Sequence, residues 1–218
     1  MLALLSILAC RGAGADATAQ KADYTAMTPE ALAEYLIFEA GGFKLDQATQ
    51  EGGTVRDRLT QDEIQKTCSP LHGARPEGET ATQVIELARA SIVYPEGGIA
   101  LGDWEKGEAV ARSGYGFRVG HKTDDHSDKQ SGGNCYACHQ LDPDEIAYGT
   151  LGPSLTGYGK QRGTDEAMLK YTYEIIYSPH VYFPCTKMPR FGANGFLTQQ
   201  QIADVMAYLM HPQSPVNQ

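Results

Sequence analysis

The chain has 218 residues, 41% of them hydrophobic and 21% charged, which is an ordinary composition for one globular domain or one domain with a large extension. A formal net charge of -9 gives it no electrostatic reason to bind nucleic acid. No segment is long and apolar enough to span a membrane as a helix.

The N-terminus has the pattern of an export signal. Residues 2 to 9 form a short apolar run, followed by Ala13-Gly14-Ala15 and Ala17-Thr18-Ala19, either of which suits cleavage after small residues. A signal peptide over residues 1 to 19 is expected, although no Lys or Arg precedes the apolar run. Ile7-Leu8-Ala9-Cys10 offers an alternative, a lipoprotein processing site that ends the signal before Cys10 and lipidates it. Both routes lead to the periplasm.

Residues 20 to 98 read as a helical extension. Thr28 caps a helix with Pro29 at its first position, and Leu32, Tyr35 and Leu36 give it a weak apolar face. Thr60-Gln61-Asp62-Glu63 and Thr80-Ala81-Thr82-Gln83 both have the capping-box pattern. After the second, Val84, Leu87, Ala88 and Ile92 keep helical spacing to about residue 93. Gly41-Gly42 and Gly52-Gly53 mark loops, and Tyr94-Pro95 ends the region.

Residues 99 to 218 hold the chemistry. Asp103 caps a helix running to about residue 113. Gly107 inside it costs about 1 kcal/mol relative to Ala, unless another backbone crosses there; Val205 and Tyr208 are expected to face that gap. A polar loop follows with His121, Asp124, Asp125, His126 and Asp128, a solvated segment or a metal site.

Cys135-Tyr136-Ala137-Cys138-His139 is next, and C-x-x-C-H is the attachment signature of c-type haem. Two thiols at this spacing add to the two vinyl groups of one porphyrin, and the adjoining imidazole binds iron. A C-x-x-C pair alone also suits a redox dithiol or half a zinc site. An iron-bound His needs its other ring nitrogen held by an acceptor, and Gly152-Pro153 offers a rigid carbonyl at Pro153.

A helix over residues 165 to 177 presents Leu169, Tyr173 and Ile176 on one side. Met188, in Thr186-Lys187-Met188-Pro189-Arg190-Phe191-Gly192, is the candidate sixth iron ligand. It lies far enough beyond His139 for the chain to return over the opposite haem face. Its thioether would favour ferrous iron. His180 and His211 are rivals. Thr198-Gln199-Gln200-Gln201 caps a last helix, whose Ile202, Val205, Met206, Leu209 and Met210 form one apolar stripe before Pro212.

The five cysteines agree with export. Cys135 and Cys138 go to haem, and Cys10 leaves with the signal or carries lipid. Cys68 and Cys185 remain, to pair in an oxidising compartment, to stay as separate buried thiols, or to bind metal.

Residues 102 to 211 resemble a class I cytochrome c. The likeness lies in Gly102-Asp103-Trp104-Glu105-Lys106-Gly107 for the first helix, the C-Y-A-C-H haem site, Gly152-Pro153 and Lys187-Met188-Pro189 for the two axial turns, and residues 202 to 209 for the last helix. A long loop between the first helix and the haem motif departs from the pattern. With Tyr94-Pro95, Leu101-Gly102-Asp103-Trp104, Gly132-Gly133-Asn134 and the extension, the chain further resembles the SoxX family of monohaem cytochromes. The resemblance implies an all-α fold and one covalent haem c. It also implies a heterodimer with a SoxA-like cytochrome that acts as an L-cysteine S-thiosulfotransferase. Such a complex joins thiosulfate to a cysteine of a SoxYZ-type carrier and passes electrons to a small acceptor cytochrome c. The alternative is a free-standing electron carrier of another respiratory chain. Isolated, the chain shows no catalytic residue: there is no Ser/His/Asp set and no activated Cys beside a base.

Overall fold

A computed structural model of the chain describes residues 22–49, 52–116 and 130–218. The export-signal residues and the His/Asp loop at 121–128 lie outside the described residues. The described residues are helical, with one isolated antiparallel bridge between Ala48 and Thr54. The all-α expectation is met.

The chain divides into two compact units, Met1–Gly42 and Phe43–Gln218. In the first, helix α1 (Pro29–Phe38) starts as expected: the Thr28 hydroxyl accepts from the Ala31 amide at 3.2 Å and Pro29 takes the first helical position. None of its residues is buried, as its weak apolar face implies.

In the second unit, α2 (Val55–Leu59), α3 (Glu63–Cys68) and α4 (Gly78–Ala90) precede α5 (Trp104–Arg112), α6 (Tyr158–Arg162), α7 (Glu166–Tyr177) and α8 (Gln199–Met210). Two expected caps are corrected. The Thr60 hydroxyl is taken by the Arg56 carbonyl at 2.7 Å, so Thr60 closes α2, and Asp62 with Gln65 forms the capping box of α3. Thr80 lies inside α4, which starts at Gly78 behind Glu77 and stops at Ala90 rather than at residue 93.

Two apolar cores result. A small one joins Ile64, Val84 and Ala88 to Val181, with Cys68 and Cys185 packed against it. The larger is built from α5, α7 and α8. Met206 and Met210 are buried there, as the helical stripe requires. The Cys68–Cys185 disulfide is formed, with Cα atoms 5.3 Å apart, and ties the small core to the loop before Met188. The described part of residues 43–98 shares a compact unit with the haem-motif segment.

Among the described helices, α5 and α8 share the most extensive contact. A Cβ added at Gly107 would stand 1.9 Å from the Asp204 carbonyl oxygen and 2.9 Å from Tyr208 Cβ. Asp204 and Tyr208, not Val205, supply the nearest atoms at this crossing. The buried Asp204 carboxylate also accepts from the Asp103 amide at 2.9 Å, fixing the N-terminus of α5 on α8.

Candidate haem site

The motif hangs from the end of α5. The Gly133 amide donates to the Val110 carbonyl at 2.8 Å and the Asn134 amide to the Ser113 carbonyl at 2.9 Å. Asn134 takes a left-handed conformation (φ 48°), which Asn tolerates better than most residues, and turns the chain into a single tight turn over Cys135–Ala137. The Cys138 and His139 amides both return to the Cys135 carbonyl, at 3.0 and 2.9 Å. Both thiols are free and partly buried, and burial pushes the Cys135 thiol up to about 12.

Residues 149–155 wrap this turn. The Gly149 amide donates to the Tyr136 carbonyl at 2.9 Å, and the Gly152 amide to the Cys138 carbonyl at 2.8 Å. A Cβ at Gly149 would meet the Ala137 carbonyl at 1.8 Å, and one at Gly152 would meet the His139 ring at 2.2 Å, so both positions require glycine. His139 Nδ1 lies 2.7 Å from the Pro153 carbonyl oxygen. A carbonyl only accepts, so Nδ1 carries the proton and Nε2 presents its lone pair outward from this bond. That is the tautomer an iron-binding imidazole needs.

The rival histidines have the opposite tautomer. His180 Nδ1 accepts from the Cys185 amide at 3.0 Å, and His211 Nδ1 accepts from the Gln213 amide at 3.2 Å. Each neutral ring then holds its proton on Nε2, which has no lone pair left for a metal. His180 is also buried; desolvation, aided by the nearby Arg190 charge and opposed by Asp62, holds it down at about 4.

Met188 is half-buried against the larger core, between two anchors. Before it stands Cys185, fixed by the disulfide. After it stands buried Arg190, whose guanidinium meets Asp62 at 2.7 Å. Beyond these, the Gly192 and Ala193 amides both donate to the Tyr177 carbonyl at 3.1 Å. The loop is thus held at both ends with the thioether carried between.

Sequence reasoning missed one support of the site. Arg112 of α5 pairs with Glu108 at 3.0 Å and with Glu145 at 2.9 Å. The other Glu145 oxygen accepts from the Leu141 amide at 2.8 Å, just after the haem motif. The i,i+4 spacing of Glu108 and Arg112 was the only available signal; Glu145 reaches Arg112 solely through the fold. Among the described residues no group of three or more His, Cys, Asp or Glu is arranged to hold a metal ion.

Two free thiols on one turn, an imidazole with Nε2 unprotonated and a glycine-lined wrap fit a covalently attached haem. These features define a c-type cytochrome domain, and the profile of the cytochrome c family matches residues 128–213. The chain is also 46% identical over 163 residues to an uncharacterized lipoprotein of Aquifex aeolicus (strain VF5), an alignment that covers 72% of this chain and 73% of that protein. The chain belongs to the family of that lipoprotein, with a cytochrome c domain in its C-terminal part. Together with that domain, the Cys135 and Cys138 pair implies covalent haem c.

Proposed function

We propose that this chain is an extracytoplasmic monohaem electron carrier. Cys135 and Cys138 would hold the porphyrin covalently, and His139 and Met188 would ligate the iron. The observation that carries this reading is the hydrogen bond from His139 Nδ1 to the Pro153 carbonyl, which leaves Nε2 free to ligate. When bound, the haem supplies a one-electron ferric/ferrous couple, and a thioether ligand favours the ferrous form. The protein's own part is to orient the imidazole through Pro153 and to hold Met188 between the disulfide and Arg190.

In the narrower reading the chain is a subunit that pairs with a SoxA-like cytochrome. Electrons released as thiosulfate is joined to a SoxYZ-type carrier cysteine pass through it to a small acceptor cytochrome c. Its support is the combined resemblance of residues 94–108, 132–140 and 187–192 to that family. Export follows either signal pattern, and the lipoprotein relative supports lipidation at Cys10. The protein would then be tethered to a membrane surface on the periplasmic side.

Two experiments test these readings. Met188→Ala should abolish the red charge-transfer band of sulfur–ferric iron ligation; a band that survives removes Met188 from the iron. Co-expression with a genomic SoxA-like neighbour should yield a stable heterodimer, and carrier modification should need both chains. Full turnover by the isolated chain would reject the subunit role. Absence of any such complex, with rapid electron exchange to another oxidoreductase, would favour the free carrier.

A further inference from the structure

A cleft of about 360 Å³ opens beside the small core, lined by Cys68, Gly73, His180, Cys185, Lys187 and Arg190 among others. The Cys68–Cys185 bridge packs on one side against the small core and faces this cleft on the other; both cysteines are only partly buried. The charges around it are unequal. Arg190 is matched by Asp62 at 2.7 Å. His180 is neutral in the tautomer its hydrogen bond requires. Lys187 is exposed, and its Nζ would lie 3.8 Å from a Cβ placed on Gly73, across the cleft wall. Among the described residues no carboxylate pairs with it.

We propose that this cleft is a thiol–disulfide exchange site for small anionic thiols. The incoming thiolate sulfur attacks one sulfur of the bridge and forms a mixed disulfide. The Cys68–Cys185 bond breaks, and its electron pair leaves on the other cysteine as a thiolate. The bridge itself is the oxidant, so no further redox partner enters the step. The Lys187 charge attracts the anion and steadies the thiolate that departs. The volume suits a small ligand, and Gly73, a left-handed position (φ 88°), lets the Lys187 side chain lie along that wall. Met188, the proposed iron ligand, also borders this cleft, so the test reads a covalent adduct on the bridge rather than any property of the haem.

The test uses the full holoprotein, in which haem attachment would occupy Cys135 and Cys138. Mercaptoethanesulfonate and mercaptoethanol are reacted separately and quenched with acid, and the adduct is mapped by peptide mass. Each rate is divided by the rate of the same thiol with a linear reference disulfide, which cancels intrinsic nucleophilicity. We expect an adduct on Cys68 or Cys185 and a preference of about fivefold for the sulfonate thiol, as one nearby surface charge would give. High salt should erase the preference in the unaltered protein, and Lys187→Glu should reverse it. Equal normalised rates for the two thiols would overturn the proposal. So would failure of the folded protein to react under conditions that modify the unfolded chain.

Discussion

His139 and His180 both commit Nδ1 to a backbone group, and the opposite sense of the two hydrogen bonds separates a ligand from a structural residue. His139 donates and keeps Nε2 open. His180 accepts, so protonating it would place a proton against the Cys185 N–H. With its folded value at about 4 against an ordinary 6.5, the unfolded chain binds more protons between those limits. The stability His180 contributes is therefore present above about pH 6.5 and lost as pH falls towards 4, up to about 3 kcal/mol at this shift. His180→Asn retains a side-chain acceptor and cannot titrate, so unfolding free energies measured from pH 7 to 4.5 should decline less than in the parent. An equal decline in both proteins would remove His180 as the cause. Much at this scale was legible beforehand: C-x-x-C-H announces its chemistry in five residues, and Pro153 follows from what an iron-bound imidazole needs. Hydrogen-bond sense at the rival histidines was not legible, because it depends on which amide the folded loop brings to the ring. Glu174 was equally hidden. It is a buried carboxylate that accepts from the Tyr94 and Tyr182 hydroxyls, and its bond to Tyr94 holds that phenol up at about 12.

Among the helices, α8 was the most readable, since its capping box and apolar stripe each require the same boundaries. Its partner was readable through Gly107, a residue poor for a helix unless another backbone comes close. The contact is tighter than a side-chain crossing, because Gly107 meets the Asp204 carbonyl itself. Backbone cannot move aside as a flexible side chain can, so even one methyl group overpacks the interface. Gly107→Ala should cost roughly 2–3 kcal/mol despite its better helix propensity. For a chain of this size that is a fall of roughly 5–10 °C in thermal midpoint. A neutral or raised midpoint in calorimetry would show that the two helices separate at little cost. Capping patterns were less dependable in the short helices. Thr60 and Thr80 have suitable spacing, but one hydroxyl closes the helix before it and the other lies within a helix that starts earlier. The pattern cannot say which neighbour claims a hydroxyl. The Thr54–Asp57 box of α2 went unread because Asp, not Glu or Gln, stands at its third position.

Across the whole molecule, the disulfide changes what the region before the haem motif means. Read from the sequence, residues 20–98 form one extension; in the fold, the part after Gly42 belongs with the haem-motif segment. The small core it contributes is modest, with Ile64, Val84, Ala88 and Val181 as its buried members. Such a core gives α3 and α4 limited hold of their own, and the Cys68–Cys185 bridge supplies a covalent one across a sequence separation of 117. In the chain-entropy model, closing a loop of that length contributes about 5 kcal/mol, acting mainly through the unfolded state. A double Cys68→Ser, Cys185→Ser variant should therefore lose roughly 3–5 kcal/mol in reversible denaturant unfolding. Its denaturant slope should also rise, because an uncrosslinked chain exposes more surface when unfolded. The loss should be uneven: amide exchange should quicken most in α3 and α4, and least in the α5–α8 pair, whose close crossing and larger core remain. A stability change under about 1 kcal/mol would mean that the small core and the Arg190–Asp62 pair hold these helices without the bridge. Uniform quickening across α5 and α8 would instead mean that the second unit unfolds only as one cooperative body, with no separable N-terminal layer.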